Sequence, residues 1–396
     1  MLPLRHIRTL SAVARAGGVR PSSESLRRAA SAVSRAVALL EAMLGLPLFE
    51  RKGRGMLPTP AGALVLARFD RIRAELSAVQ EEAAADACMA ALPAASEDVL
   101  YDERRLWAAS LLAEAHHMPT VGRRLGVTQP AVSGAVSRLE NALRQKLFLR
   151  TASGLMPTDA GTRWIARFDL VLAELRYLED DMAAARGSLQ GLITVGTLPL
   201  ARTRVLPKAI GALRAAHPGL RIHSLESPYE QLYAGLLSGK VDFIIGALRP
   251  VADRALTVET LFEDELGVMA SATHPLARKR DVGFGDLRGQ SWVLSRPGTP
   301  LRASLDRFFT DHGEQALVPA VETGDLALVR GMLVEGGMLT VLSTHQLRYE
   351  VDAGHLRVLP FPMDGLRRYI GLATRAGARL PPGTLALIGE IRRFSR

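Results

Sequence analysis

Gly126-Val127-Thr128-Gln129-Pro130-Ala131-Val132-Ser133 holds, in eight residues, the end of one helix and the start of the next. Glycine at 126 supplies a left-handed backbone that is costly for other residues. Thr128 offers an N-cap oxygen, and Pro130 falls at the helix start, where its missing N–H does no harm. Upstream, 104–115 carries Leu106, Ala109 and Leu112 or Ala113 on one helical face, and 120–125 forms a short second helix. Downstream, the spacing predicts a helix from 129 to about 143. Val132, Val136, Leu139 and Leu143 share its buried face, while Gln129, Ser133, Gly134 and Ser137 look outward. A helix that exposes small or hydrogen-bonding side chains at its start suits a major groove about 12 Å wide, where phosphate would repel bulky acidic groups. The pattern is that of a helix-turn-helix.

The same register occurs 99 residues earlier, and 32–76 agrees with 131–175 at about half of its positions. Ala32-Val33-Ser34 returns as Ala131-Val132-Ser133, Leu40-Glu41 as Leu139-Glu140, Leu48-Phe49 as Leu147-Phe148, Pro58-Thr59 as Pro157-Thr158, and Arg68-Phe69-Asp70 as Arg167-Phe168-Asp169. Two alanine-rich helices that merely look alike would not also align the Gly, Pro and Thr positions between them, so a duplication is expected. Each copy reads as three short helices, a hairpin and a long helix. The first hairpin, Arg51-Lys52-Gly53-Arg54-Gly55, sets three cations among two glycines and suits phosphate or minor-groove contact. The second, Arg150-Thr151-Ala152-Ser153-Gly154, is much less basic. Residues 1–64 hold 10 basic and 3 acidic side chains (+7) and 102–163 hold 9 and 5 (+4), whereas Glu81-Glu82 and Glu179-Asp180-Asp181 make the long helices more acidic. The candidate DNA contacts are Gln129, Pro130, Ser133, Ser137, Arg138 and Arg150 in the second copy, and Ser34, Arg35, Arg51, Lys52 and Arg54 in the first.

The chain has 396 residues, 50 Lys or Arg against 40 Asp or Glu, a formal charge of +10, 48% hydrophobic and 23% charged residues. That is too long for one ordinary domain and globular in composition. Its most apolar stretches, 36–49 and 326–342, are interrupted well before the roughly 18 residues of a membrane span, so no membrane partner is expected. Met1-Leu2-Pro3-Leu4-Arg5-His6 lacks the features of a secretory signal, which points to the cytoplasm. The single cysteine, Cys88, can form neither an intrachain disulfide nor a cysteine metal site and is expected to be a buried small apolar residue. No nucleophile elbow, phosphate loop or dinucleotide fingerprint occurs, and the adjacent His116-His117 make a poor metal pair. No catalysis, cofactor or metal is expected.

From Gly191 the pattern changes. Strands at 192–195, 220–225 and 241–245 alternate with helices at 205–216 and 229–237, which implies a parallel sheet with covering helices. Ligands on such sheets sit beyond the carboxyl ends of strands, against helix N-termini that attract carboxylates. Here those places are 197–200, 226–229, 295–299 and 323–325.

The run 126–133, followed by Leu139-Glu140, Leu147-Phe148, Arg150, Leu155 and Thr158-Asp159-Ala160-Gly161, resembles the DNA-binding module of LysR-type transcriptional regulators. The first copy resembles it through Leu46-Pro47-Leu48-Phe49-Glu50-Arg51 and Thr59-Pro60-Ala61-Gly62, with a worn turn. The likeness extends along the second long helix to about residue 186 and, more loosely, over everything from 191 onward. That family ordinarily has one module per chain, so a tandem pair is a departure. In the family the segment matching Gln129, Pro130, Ser133 and Gly134 faces DNA, and the last of these is usually arginine. The second copy has Gly134 there, while the first has Ala30 and Ser31 but keeps Arg35. Either the modules read different half-sites or one has become mainly structural. The second is the better candidate for sequence reading and the first for phosphate anchoring. The long helices resemble the family's linker helix, which pairs with its counterpart in another subunit. With both in one chain, joined by 90–96 with its Pro93, they can pair internally as a pseudo-dimer.

The resemblance implies an α/β chain overall: two all-α-rich winged helix-turn-helix modules with long linker helices, then a two-lobed, periplasmic-binding-protein-like effector domain. The expected boundaries are 1–64 for the first module, 65–101 for linker helix and connector, 102–163 for the second module, 164–189 for its linker helix and 190–396 for the effector domain. Lobe I covers about 190–261 and 366–396, and lobe II about 262–365. The partners implied are double-stranded DNA, a small-molecule effector, further copies of the chain in a dimer or tetramer, and RNA polymerase. Ser227 matches the hydroxyl position after the second strand of the family's cleft, and Thr323 or Gly324 the position before a later helix. With the loops above, the candidate effector contacts are Thr197, Leu198, Leu200, Ser227, Ser295, Arg296, Thr299, Thr323 and Gly324. The apolar Leu198-Pro199-Leu200 suits a partly hydrophobic organic acid, aromatic or sugar-derived, with Arg296 and Arg302 as cations able to pair its carboxylate. Surface charge and helix capping are the plainer readings of these residues. The rival functions are a solute-binding protein, which would need no basic modules, and an architectural DNA-binding protein without effector control.

Overall fold

The computed structural model describes residues 2–52, 55–88, 91–93, 95–249 and 254–395. Its first unit comprises α1 (Leu4–Ala16), α2 (Val19–Ser25), α3 (Ala30–Leu44), a hairpin of β1 (Phe49–Lys52) and β2 (Gly55–Pro58), and the long α4 (Pro60–Asp86). After a short α5 (Ala95–Leu100), a second unit follows in the same order: α6 (Glu103–Ala115), α7 (Met118–Leu125), α8 (Gln129–Leu143), β3 (Phe148–Thr151), β4 (Gly154–Pro157) and α9 (Asp159–Ala185). The helix α5 replaces part of the plain connector expected from Pro93. It is held because the Ser96 hydroxyl donates to the carbonyl of Ala142, near the end of α8.

Both units are fastened by the same hydrogen bonds. Glu41 accepts from the backbone N–H groups of Leu48 (2.8 Å) and Phe49 (3.4 Å), and Glu140 from those of Leu147 (3.0 Å) and Phe148 (3.4 Å). Thr59 caps α4 by accepting from Gly62 at 3.0 Å, and Thr158 caps α9 by accepting from Gly161 at 2.8 Å. Those glycines are sterically required, because a Cβ at 62 or 161 would stand 2.1 Å from the carbonyl oxygen of Leu48 or Leu147. Thr128, by contrast, occupies the N-cap position of α8 without a side-chain capping bond. The capping oxygen expected there is not used. Cys88 is exposed rather than buried.

The two long helices lie antiparallel. Val65, Phe69, Ile72, Leu76, Val79 and Ala83 of α4, spaced alternately by four and three, are all buried, as are their counterparts from Trp164 to Met182 of α9. One hydrophobic core runs through both units and this helix pair.

The C-terminal half begins with β5 (Gly191–Thr197), α10 (Val205–Ala216), β6 (Leu220–Leu225), α11 (Tyr229–Leu237), β7 (Phe243–Ala247) and β8 (Leu256–Asp264). A second lobe holds β9 (Leu266–Ser271), α12 (Phe284–Leu287), β10 (Val293–Leu294), α13 (Pro300–Asp311), β11 (Val321–Glu322), α14 (Leu326–Val334), β12 (Thr340–Ser343), α15 (Arg348–Asp352) and β13 (Leu356–Val358). The chain then returns through β14 (Arg368–Arg375) and α16 (Pro382–Phe394). The first sheet has the order β6-β5-β7-β14-β8, and the second lobe contains β12-β9-β13 and the pair β10-β11. β5, β6 and β7 are parallel, but β14 runs antiparallel to both β7 and β8, so the sheet is mixed rather than parallel throughout. A chain that crosses to a second lobe and comes back must re-enter from the opposite direction. β8 also carries the first sheet to Asp264, past the expected limit at 261.

At the crossing, buried Asp264 accepts from Ser343 and from Arg368, tying both lobes to the hinge. α9 is anchored to the first lobe through Asp242, which accepts from Arg176 (2.8 Å), Tyr177 (2.5 Å) and the N–H of Thr194 (2.8 Å). Among the described residues no helix is long and apolar enough to cross a membrane.

Candidate nucleic-acid interface and effector cleft

The core-facing side of α8 buries Val132, Val136, Leu139 and Leu143. Its other side exposes Gln129, Pro130, Ser137 and Arg138, with Ser133 and Gly134 half-buried, and Arg150 is exposed on β3. α3 repeats the arrangement, burying Val33, Ala36, Val37 and Leu40 while Ser34 and Arg35 face solvent. Each outward face is therefore assembled by the same packing logic, but with different chemistry on the outside. Gln129 and Gly134 in one unit stand where Ala30 and Arg35 stand in the other. A Cβ at Gly134 would meet nothing within 4 Å, so the lost arginine is not missing for want of room. Of the first hairpin, Arg51 and Lys52 pair with Met56 and Gly55 through their backbones. Their side chains, and the whole of Arg54, lie outside the described residues.

Sequence reasoning missed how the helix pair is locked. Arg68 of α4 donates to Asp181 (2.9 and 3.2 Å) and Glu174 (2.8 Å) near the end of α9, and Arg167 of α9 donates to Glu75 (3.0 Å) and Glu82 (2.7 Å) near the end of α4. The signal was present in the repeat, where Arg68, Glu75 and Glu82 recur as Arg167, Glu174 and Asp181. Burial separates the two clamps. Arg68 is fully buried and also donates to the carbonyl of Arg379 at 2.6 Å, whereas the Arg167 side chain is 34% exposed.

The expected effector residues divide into two groups. Thr197 ends β5 buried beside Ser224 (3.2 Å) and Glu226 (3.3 Å), and Ser227 is half-buried just beyond. The Ser224 hydroxyl chiefly holds the Glu226 carboxyl below its usual range, with desolvation opposing it and Thr197 adding to it. In the second lobe Ser295, Thr299 and Thr323 are engaged locally. Thr299 caps α13 and donates to Ser295 at 3.1 Å, and Thr323 accepts from the N–H of Asp325 at 3.0 Å. Asp325 itself caps α14 with its carboxylate, so a second carboxylate would be repelled from that helix start. Arg296 and Gly324 are exposed. Arg302 is turned away from any ligand role by Asp306 (2.9 Å) and Glu322 (3.1 Å). Leu200 is buried, and Leu198 lines a narrow crevice with Tyr229, Ile244 and Gly371 inside the first lobe. The apolar loop thus serves the lobe's own core, which removes the reason for expecting a hydrophobic effector. The lobes touch where Thr203 donates to the carbonyl of His345 at 3.4 Å and the His345 ring meets Phe262 edge-on.

Comparison with known proteins decides the family. The profile described as "LysR substrate binding domain" matches residues 186–396, and "Bacterial regulatory helix-turn-helix protein, lysR family" matches 4–63 and again 104–162. The chain belongs to the LysR family. The HTH-type transcriptional regulator GalR of Pseudomonas putida is 42% identical over 393 residues, 98% of this chain and 96% of that protein. OxyR of Escherichia coli, a DNA-binding transcriptional dual regulator, is 29% identical over 68% of this chain and 88% of its own. Among solved structures, a full-length OxyR variant from Pseudomonas aeruginosa aligns with a TM-score of 0.58 at 25% identity, covering 73% of this chain and 94% of that one. CbnR, at 19% identity and a TM-score of 0.54, shares the fold over 74% of this chain and 99% of its own. About a quarter of this LysR-family chain is thus left without a counterpart in those two structures. These relatives are regulators rather than enzymes. The chain is accordingly a DNA-binding transcriptional regulator, with an effector-binding domain of mixed α/β architecture in its C-terminal half.

Proposed function

We propose that the two N-terminal units are duplicated winged helix-turn-helix modules that both engage double-stranded DNA. The second reads sequence through Gln129, Pro130, Ser133, Ser137 and Arg138, with Arg150 on the backbone. The first anchors phosphate through Ser34, Arg35 and the cations Arg51, Lys52 and Arg54. The observation that carries this reading is the pairing of identical fastening bonds at a 99-residue offset with two exposed helix faces of different chemistry. The domain limits are those expected above, with the first lobe extended to Asp264.

In the C-terminal half the effector occupies the space between the lobes, met by Thr197, Ser227, Arg296 and Gly324, with Leu198, Leu200, Ser295, Thr299 and Thr323 shaping the loops behind. An organic acid is the effector class we favour. Among the described residues Arg296 makes no ion pair, and Nη2 of Arg368, shielded from solvent at the hinge, has no hydrogen-bond partner. Effector binding shifts the population of lobe closures and so the spacing of recognition modules. The protein works in the cytoplasm as a homo-oligomer, a dimer or tetramer, in contact with RNA polymerase.

Footprinting DNA that flanks the chain's own coding sequence tests the first part, using wild type, Arg35→Ala and Gln129→Ala. A protected region that shrinks separately in each variant supports two DNA-binding modules. Loss only with Gln129→Ala makes the first module structural. For the effector, a thermal-shift panel of small organic acids should raise the melting temperature of wild type and not of Arg368→Met, since a ligand specific to the folded state must stabilise it.

A further inference from the structure

We propose that a single chain is a complete dimer-like reader: its two modules contact two unlike DNA half-sites in inverted orientation about one dyad. The inference rests on the reading that both modules engage DNA, and it goes further by fixing how they are arranged.

The geometry is that of a two-fold interface contained within one chain. In an isologous interface, if residue i of one subunit meets residue j of the other, then j meets i across the axis. Here Arg68 meets Glu174 and Asp181, while Arg167, 99 residues after Arg68, meets Glu75 and Glu82, 99 residues before those partners. The relation reaches the modules themselves. Arg186, just beyond α9, donates to the carbonyl of Leu44 at the end of α3, and Asp86, at the end of α4, accepts from Gln145 (3.4 Å) just beyond α8. Each long helix thus ends against the other unit's recognition helix. Six buried positions on α4 face the same six on α9, as in a self-complementary patch.

Two consequences follow from elementary symmetry. Recognition helices related by a two-fold axis read half-sites in inverted orientation. Because the outward residues differ, with Ala30, Ser31 and Arg35 on one side against Gln129, Pro130 and Gly134 on the other, the two half-sites read about the axis have different sequences. The helix faces that would pair with another chain are already covered, so additional chains associate through other surfaces and bring additional dyads.

The test uses the full chain in a Cys88→Ser background, with Ala131→Cys or its counterpart Ala32→Cys carrying a DNA-cleaving iron chelate, on a fragment that the unlabelled chain protects. The expected result is one-sided cutting: each label cleaves a different half of the same dyad, and native mass spectrometry counts one chain per dyad. Cutting on both halves by the Ala131→Cys label, with the Ala32→Cys label cleaving outside them, would overturn the inference, since second modules of two chains would then form the dyad. Protection that survives loss of either module's outward residues, with no cutting from Ala32→Cys, would overturn it as well. If the unlabelled chain protected no fragment at all, the DNA-binding reading would fall first and take this one with it.

Discussion

Arg68→Ala and Arg167→Ala delete the same arginine from opposite ends of one helix pair, yet their costs should differ several-fold. Arg68 is 0% exposed, with Glu174 and Asp181 at 2% and 6%. Its removal leaves Asp181 with no other ion pair among the described residues and Glu174 with Arg71 alone, at 2.7 Å. Breaking a buried pair by removing one partner costs about 3–5 kcal/mol. Arg167 is 34% exposed and its partners Glu75 and Glu82 are 23% and 34% exposed. Water replaces the arginine there, and Trp164 still donates to Glu82 at 3.1 Å, so the loss should be about 1 kcal/mol or less. In a unit of 150–250 residues each kcal/mol moves Tm by about 2–4 °C. Arg68→Ala should therefore lower the melting transition by about 6–20 °C and Arg167→Ala by at most about 4 °C, followed by circular dichroism at 222 nm. Combining Arg68→Met with Glu174→Gln and Asp181→Asn should recover much of the deficit, because no buried charge is then stranded. Equal shifts for the two single variants would refute the reasoning, which rests on the greater burial of Arg68 and on the Arg379 carbonyl that Arg68 also meets.

Gly161→Ala should destabilise the second unit by about 1–3 kcal/mol in urea unfolding, because its Cβ would fall 2.1 Å from the Leu147 carbonyl oxygen. Gly134→Arg should leave that unfolding curve nearly unchanged while sharpening discrimination between operator and mutated half-site by about 1–3 kcal/mol, read by fluorescence anisotropy. Burial lifts the Asp180 carboxyl to about 7, opposed by Arg176 and reinforced by Asp242, Glu179 and Asp181. The folded chain then holds this proton more tightly than the unfolded chain, whose Asp titrates near ~3.9. The Asp180 share of stability is consequently present at low pH, falls as pH rises from about 4 to about 7, and stays lost above. Asp180→Asn should remove that slope and melt higher than wild type at pH 8.

Local chemistry explains what could be read in advance and what could not. Helix α8 was legible from Gly126 to Leu143 because its apolar spacing, its turn glycine and Pro130 all point to one answer, and the Thr59 and Thr158 segments were legible as repeats. The β5 to β7 alternation was equally plain, while the antiparallel return of β14 was not, because strand direction depends on the crossing between lobes rather than on anything in 368–375. Thr128 was misread because a side chain at an N-cap position still needs a free N–H at the right distance, which sequence does not specify. Cys88 was misread as buried because a composition rule says nothing of a residue that follows a helix end. In the effector cleft, hydroxyls such as Thr299 and Thr323 serve caps and ligands equally well on paper. Only the positions of Arg302 and Asp325 show which local charges are already spent.

A two-fold interface inside one chain differs physically from one between identical chains. In a homodimer any substitution appears on both sides of the axis, so a change that suits one environment must be tolerated in the other. Here the two units carry different residues at matching positions. The left-handed positions that close the helices are Gly17, Arg27 and Gly45 in the first unit and His116, Gly126 and Arg144 in the second, each unit bearing strain where the other keeps glycine. The arginine clamp shows the same freedom in its energetics: one end is sealed against the first lobe through Arg379, and the other remains in water. The effector domain grips the helix pair at both ends of the clamp, since Lys240 pairs with Asp169, two residues from Arg167, and with Glu114 of the second unit. A change in lobe position would reach the helix pair through Arg68, through the α9 anchor at Asp242 and through Lys240, whose contact with Glu114 touches the second unit directly.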